Sequence, residues 1–157
     1  MTSRLRGWTA AMVVLPALAF TGSTAPAAAQ TGIVPVEEAA LALSQFLFQE
    51  TLLERCGEIT GDVDGYTDAW WEWYARNTYI EHLASVVLAH YGRTFTPERQ
   101  RPAAESAADQ FFARYENHAE TCAAFRSGIY RGIADFDSNT LDRLMESDRI
   151  ITELNRQ

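Results

Sequence analysis

Residues 64–91 read DGYTDAWWEWYARNTYIEHLASVVLAHY, and this stretch decides the fold. Tyr66, Trp70, Trp73, Asn77, Ile80, Ala84, Val87 and Tyr91 follow one another by alternating steps of four and three. That is a heptad-like face, the pattern of one helix packing along another. The stretch predicts a long helix from about Asp64 to Tyr91, closed by Gly92. A helix with a seam of this length needs partners, and the flanking sequence supplies them.

Upstream, Pro35 suits a first helical position, and Glu37 and Glu38 sit where the helix dipole favours acids. Val36, Ala40, Leu43 and Leu47 form a stripe that Phe46, Leu53 and Cys56 extend, and Gly57 is the expected stop. Residues 30–35 are a short polar lead-in. Downstream, Thr96-Pro97-Glu98 reads as a cap with Pro at the first helical position. Pro102 is then expected to break or restart the helix. A third long helix is predicted from about Pro102 to Ala134, with Phe111, Tyr115, His118, Cys122, Phe125 and Ile129 as its seam. Asp137 to Thr140 caps a fourth helix ending near Leu154, with Leu141, Leu144, Met145 and Ile151 among its apolar residues. No segment alternates strictly enough for a strand. The expected fold is all-α: an antiparallel four-helix bundle with one inter-helix disulfide.

The chain opens with a different signature. Arg4 and Arg6 precede an apolar run from Trp8 to Phe20, and Ala27-Ala28-Ala29 ends the segment. This is the layout of a cleaved secretory signal, so residues 1–29 are expected to be a signal peptide and 30–157 a single helical domain. The run is shorter than the roughly 20 apolar residues of a membrane span and contains Pro16. The expected location is the periplasm or the extracellular medium. Cleavage removes two of the 13 basic residues, all Arg, and none of the 21 acids. The remaining formal charge of −10 repels polyanions, so no nucleic-acid partner is expected. No second run approaches spanning length, so no membrane span is expected either.

Only Cys56 and Cys122 are present. In an oxidising compartment two cysteines read as one disulfide. The loop is about 66 residues, for which the chain-entropy model gives roughly 4 kcal/mol. The geometry agrees. If the second helix carries the chain to the far end of the bundle, the third returns to the level of Cys56 near residue 122.

Chemistry-bearing constellations are sparse. Asp62, Asp64 and Asp68 fall at the third, fifth and ninth positions of a calcium loop. Thr60 and Trp71 stand where its two end carboxylates belong, which favours a turn with a helix N-cap instead. His82 and His90 do not share a helix face. His118 and Met145 are the candidate axial ligands of a noncovalent haem, although a lone His on an apolar seam is more often a core residue. No C-x-x-C-H, G-x-S-x-G, H-E-x-x-H or phosphate-binding Gly-rich loop occurs. No cofactor or metal is therefore expected, and the balance leans away from an enzyme. Trp71 and Tyr74 point about 100° from the seam. They either pack on another helix, the expected reading, or form a patch for a partner.

Cys56, Trp73-x-x-Arg76-Asn77, Cys122, Gly128, Gly132 and Asp135 together resemble a loose group of small, uncharacterised proteobacterial secreted helical proteins. These share a cysteine, a W-x-x-R-N on the next long helix and a second cysteine. The resemblance spans Cys56 to Asp135 and implies no assigned activity. Asn77 lies on the seam, where a buried amide must find partners and can fix helix register. The function expected from all this is a non-enzymatic interaction or envelope-maintenance factor with an unknown protein partner in the envelope. A small ligand- or haem-binding bundle is the alternative.

Overall fold

The computed structural model describes residues 32–157; the expected signal segment lies outside them. Five helices and no strand occur among the described residues: α1 (Val36–Thr60), α2 (Val63–His90), α3 (Pro97–Phe112), α4 (His118–Tyr130) and α5 (Ser138–Leu154). The chain is all-helical, as expected, with one more helix than the periodicity predicted.

α1 does not stop at Gly57 but runs on to Thr60, and Gly61 ends it at φ 72°, a left-handed conformation suited to glycine. Gly57 serves a different purpose. A Cβ there would stand 3.1 Å from the Cα of Val63, so glycine lets α2 start hard against α1. Asp62 caps α2 by accepting from the Gly65 N–H at 3.2 Å. α2 then doubles back along α1: Phe46 meets Trp73 edge-on at 5.0 Å, and Tyr91 reaches the carbonyl of Val34 at 3.4 Å. Helices α2, α3 and α4 all pack on α1, which explains why α1 buries residues on nearly every face.

The predicted third helix is two helices. It starts at Pro97 rather than Pro102, and Pro102 lies inside α3. Pro102 and Glu98 are both exposed, so the carbonyl that loses its helical donor faces water. α3 ends at Phe112, and residues 113–117 form the break. Asn117 caps α4 by accepting from the Glu120 N–H at 3.2 Å, while its own amide donates to the Glu120 carboxylate at 3.3 Å. This capping variant starts a new helix and turns Tyr115 and His118 out to solvent, off the expected seam. Phe112 takes the buried position instead.

Cys56 and Cys122 form the predicted disulfide, with Cα atoms 5.3 Å apart, and both are buried. It ties α4 to α1. The lead-in is not a polar approach segment. Ile33 and Val34 are buried, and the Val34 N–H donates to the Ser147 hydroxyl at 2.9 Å. That hydroxyl donates in turn to the Arg143 carbonyl, which accounts for a fully buried serine within α5.

Candidate functional site

The W-x-x-R-N segment converges on one place in the fold, the connection between α4 and α5. The Trp73 indole N–H donates to the Ala134 carbonyl at 3.0 Å. Arg76 grips Asp135 with two nitrogens, at 2.9 and 3.2 Å. It also donates to the Ile129 carbonyl in the last turn of α4, whose second lone pair the helix end leaves open, and to Glu72 at 2.9 Å. The Asn77 amide donates to the Trp73 carbonyl at 2.8 Å and to Asp135 at 3.2 Å, and its oxygen accepts from the Phe136 N–H at 3.2 Å. The Asp135 carboxylate keeps the Arg76 guanidinium above its ordinary pKa.

Gly132 completes this clamp. Its φ of 71° closes α4, with its own N–H donating to Ile129 and the Ile133 N–H to the Gly128 carbonyl, a Schellman pattern. A Cβ on Gly132 would come 3.1 Å from the Asp135 carboxylate. Every polar group of the clamp is therefore committed to another part of the chain. Trp73 is fully buried and Asn77 nearly so, which leaves this constellation bonding the fold rather than facing a ligand.

The remaining candidates are dispersed. Asp62 is occupied by the cap and by an ion pair with Arg126; that guanidinium, with the Gly65 N–H, holds its carboxyl below the usual range. Asp64 and Asp68 lie on the exposed first turns of α2 rather than in a loop, because the turn between α1 and α2 is only Gly61 and Asp62. His118 opens α4 beside the Phe112 ring, and Met145 lies exposed on α5. Among the described residues, no group of three or more His, Cys, Asp or Glu side chains is placed to hold a metal ion. An open cleft of about 490 Å³ runs past Ile33, Val34, Pro35, Asp142, Arg143 and Glu146. Among the described residues that line it, the one cation, Arg143, is already paired with Glu38 at 2.7 Å.

The structure divides Trp71 from Tyr74. Tyr74 packs edge-on against Phe46 at 6.0 Å and donates to Glu81 at 2.6 Å, which raises its phenol pKa. Trp71 touches the Tyr74 ring on one side and is otherwise 59 % exposed. Tyr79, which the periodicity did not single out, is 50 % exposed two turns further along. Its signal was present, since it lies eight residues from Trp71 and off the seam. No known protein family, curated protein or solved structure matches the chain.

Proposed function

We propose that this is a secreted or periplasmic, non-enzymatic helical protein that acts by binding another protein of the envelope, as an interaction or maintenance factor. In this reading residues 1–29 are a cleaved signal. Helices α1 and α2 with α5, and α3 and α4 sharing one position, form an antiparallel bundle. The chain then belongs with the secreted helical proteins that carry the C…WxxRN…C pattern.

The observation that carries the reading is the division of α2. Its inner face is spent on the core and the clamp. Its outer face holds a large exposed tryptophan on a helix braced by its packing and by the α4–α5 clamp. A rigid aromatic presented this way is the usual anchor of a protein interface, because little entropy is lost when it docks. The disulfide suits an oxidising compartment. Among the described residues, no helix is long and apolar enough to cross a membrane.

The test is affinity capture from envelope extract, using the full chain as the cell processes it. The expected result is one protein that co-elutes in fixed proportion through gel filtration. A protein that elutes alone after capture under gentle conditions contradicts the reading.

A further inference from the structure

The outer face of α2 is a second stripe, stepping by threes and fours opposite the first. Asp64, Asp68, Trp71, Ala75, Tyr79 and His82 lie along it, and all six are exposed. From Asp64 to His82 it runs about 27 Å at 1.5 Å per residue. Trp71 and Tyr79 stand on either side of Ala75, which leaves a notch between two rings. Tyr79 is backed by His82, whose ring is stacked at 6.5 Å. A stripe of this period on a long helix fits another helix laid along it.

Charge selects the occupant. Asp64 and Asp68 make no ion pair or side-chain hydrogen bond among the described residues, so their carboxylates are available. The one arginine of α2, Arg76, is taken up by Asp135, Glu72 and the Ile129 carbonyl and adds no free positive charge. The chain as a whole is acidic, with a formal charge of −8. Exposed tryptophan and tyrosine faces attract guanidinium and ammonium groups. Anionic lipid and polynucleotide would both meet a repelling field.

We infer that this face binds a basic amphipathic helix of a partner protein, with its apolar stripe on Trp71, Ala75 and Tyr79 and its Arg or Lys side chains beside Asp64 and Asp68. The inference rests on the interaction reading above and gives it a chemistry. A peptide measurement reads this surface without any envelope protein, so failure here is distinguishable from failure of that reading.

The probe is a synthetic amphipathic helix of about 18 residues, the length of the stripe. Leucines at heptad spacing alternate with arginines, and a twin carries glutamine for every arginine. Calorimetric titration of the processed protein should show the arginine peptide binding about tenfold tighter than its twin at low salt, with the difference closing at high salt. Trp71→Ala should weaken the arginine peptide by about tenfold or more. The pair Asp64→Asn and Asp68→Asn should markedly weaken the salt dependence while leaving the glutamine peptide unaffected. Leu41→Ala and Glu105→Gln, exposed on α1 and α3, should change neither. Equal affinity for both peptides, undiminished binding by the stripe variants, or equal loss in the controls would overturn the inference. So would self-association of the protein alone that Trp71→Ala abolishes, since the face would then serve a second copy.

Discussion

Replacing Asn77 with aspartate changes one buried NH₂ to oxygen and leaves the shape intact. In the native protein that NH₂ donates to the Trp73 carbonyl at 2.8 Å and to the Asp135 carboxylate at 3.2 Å. In N77D both contacts become acceptor against acceptor. The bond to the neutral carbonyl contributes about 1 kcal/mol and the one to the carboxylate about 2. Two carboxylates about 3 Å apart cannot both ionise freely, and the Arg76 guanidinium beside them offsets only part of the repulsion. The expected loss is about 4 kcal/mol at neutral pH, a large share of the roughly 5–15 kcal/mol that holds a typical domain together. For a domain of this size that lowers Tm by roughly 15 °C.

The loss should depend on pH, and the sign is fixed. Burial and Asp135 raise the folded-state pKa of the introduced carboxyl above its unfolded value of about 3.9. The folded state then holds the proton more tightly, so the penalty is present at neutral pH. It shrinks as pH falls through the raised pKa and is least below about pH 4. Asp135 contacts the position directly, and Arg76, paired with both Asp135 and Glu72, lies beside it. Denaturant unfolding of N77D and the native protein across pH 4–8 measures the gap. A gap under about 1 kcal/mol at neutral pH, or one that does not narrow in acid, refutes the clamp as drawn.

Three further outcomes follow from the same geometry. Reducing the disulfide, or replacing both Cys56 and Cys122 with alanine, should cost about 4 kcal/mol in urea unfolding, the loop-closure value for a sequence separation of 66. Intact mass should rise by two hydrogens on reduction; thiols that alkylate before reduction count against the bond. Gly132→Ala should destabilise by about 1 kcal/mol or more, because φ is positive and Asp135 is close. Gly128→Ala, in helical conformation with open space around it, should be neutral or stabilising by up to about 1 kcal/mol. Equal Tm shifts for the two would contradict the Schellman closure. Asp62, whose carboxyl is held low by Arg126 and Gly65, contributes stability that is present above the unfolded pKa and lost as pH falls below about 3.8. Asp62→Asn should therefore flatten the acid limb of the stability curve, and an unchanged limb would remove the pair as a contributor.

Local rules carried much of the architecture. Six of the eight residues on the predicted α2 seam are buried; Trp70 and Tyr91 are half-buried against the core. The disulfide followed from compartment and helix length. The break at residues 113–117 was hidden because Phe111, Tyr115, His118 and Cys122 continue a helical period across it. The cap Asn117-x-x-Glu120 was the competing signal; it supplies a partner for an amide that the break would otherwise leave unpaired. Pro102 misled in the other direction, since its missing donor matters little on a wet face. The partners of Arg76 and Asn77 could not be read locally. Asp135 is 59 residues from Arg76, and only the folded path of α4 brings them together. Trp71 was expected to pack on another helix, yet it lies about 100° from the seam that carries Trp70 and Trp73, and it stays 59 % exposed with only the Tyr74 ring beside it.

The inward residues of α2 serve folding and its outward residues serve binding. The most direct test is capture from envelope extract with the native protein and with Trp71→Ala, alongside the Tm of each. Trp71→Ala should keep its Tm within a few degrees and lose the co-eluting partner. Retention of that partner by Trp71→Ala at full occupancy would contradict this division of α2.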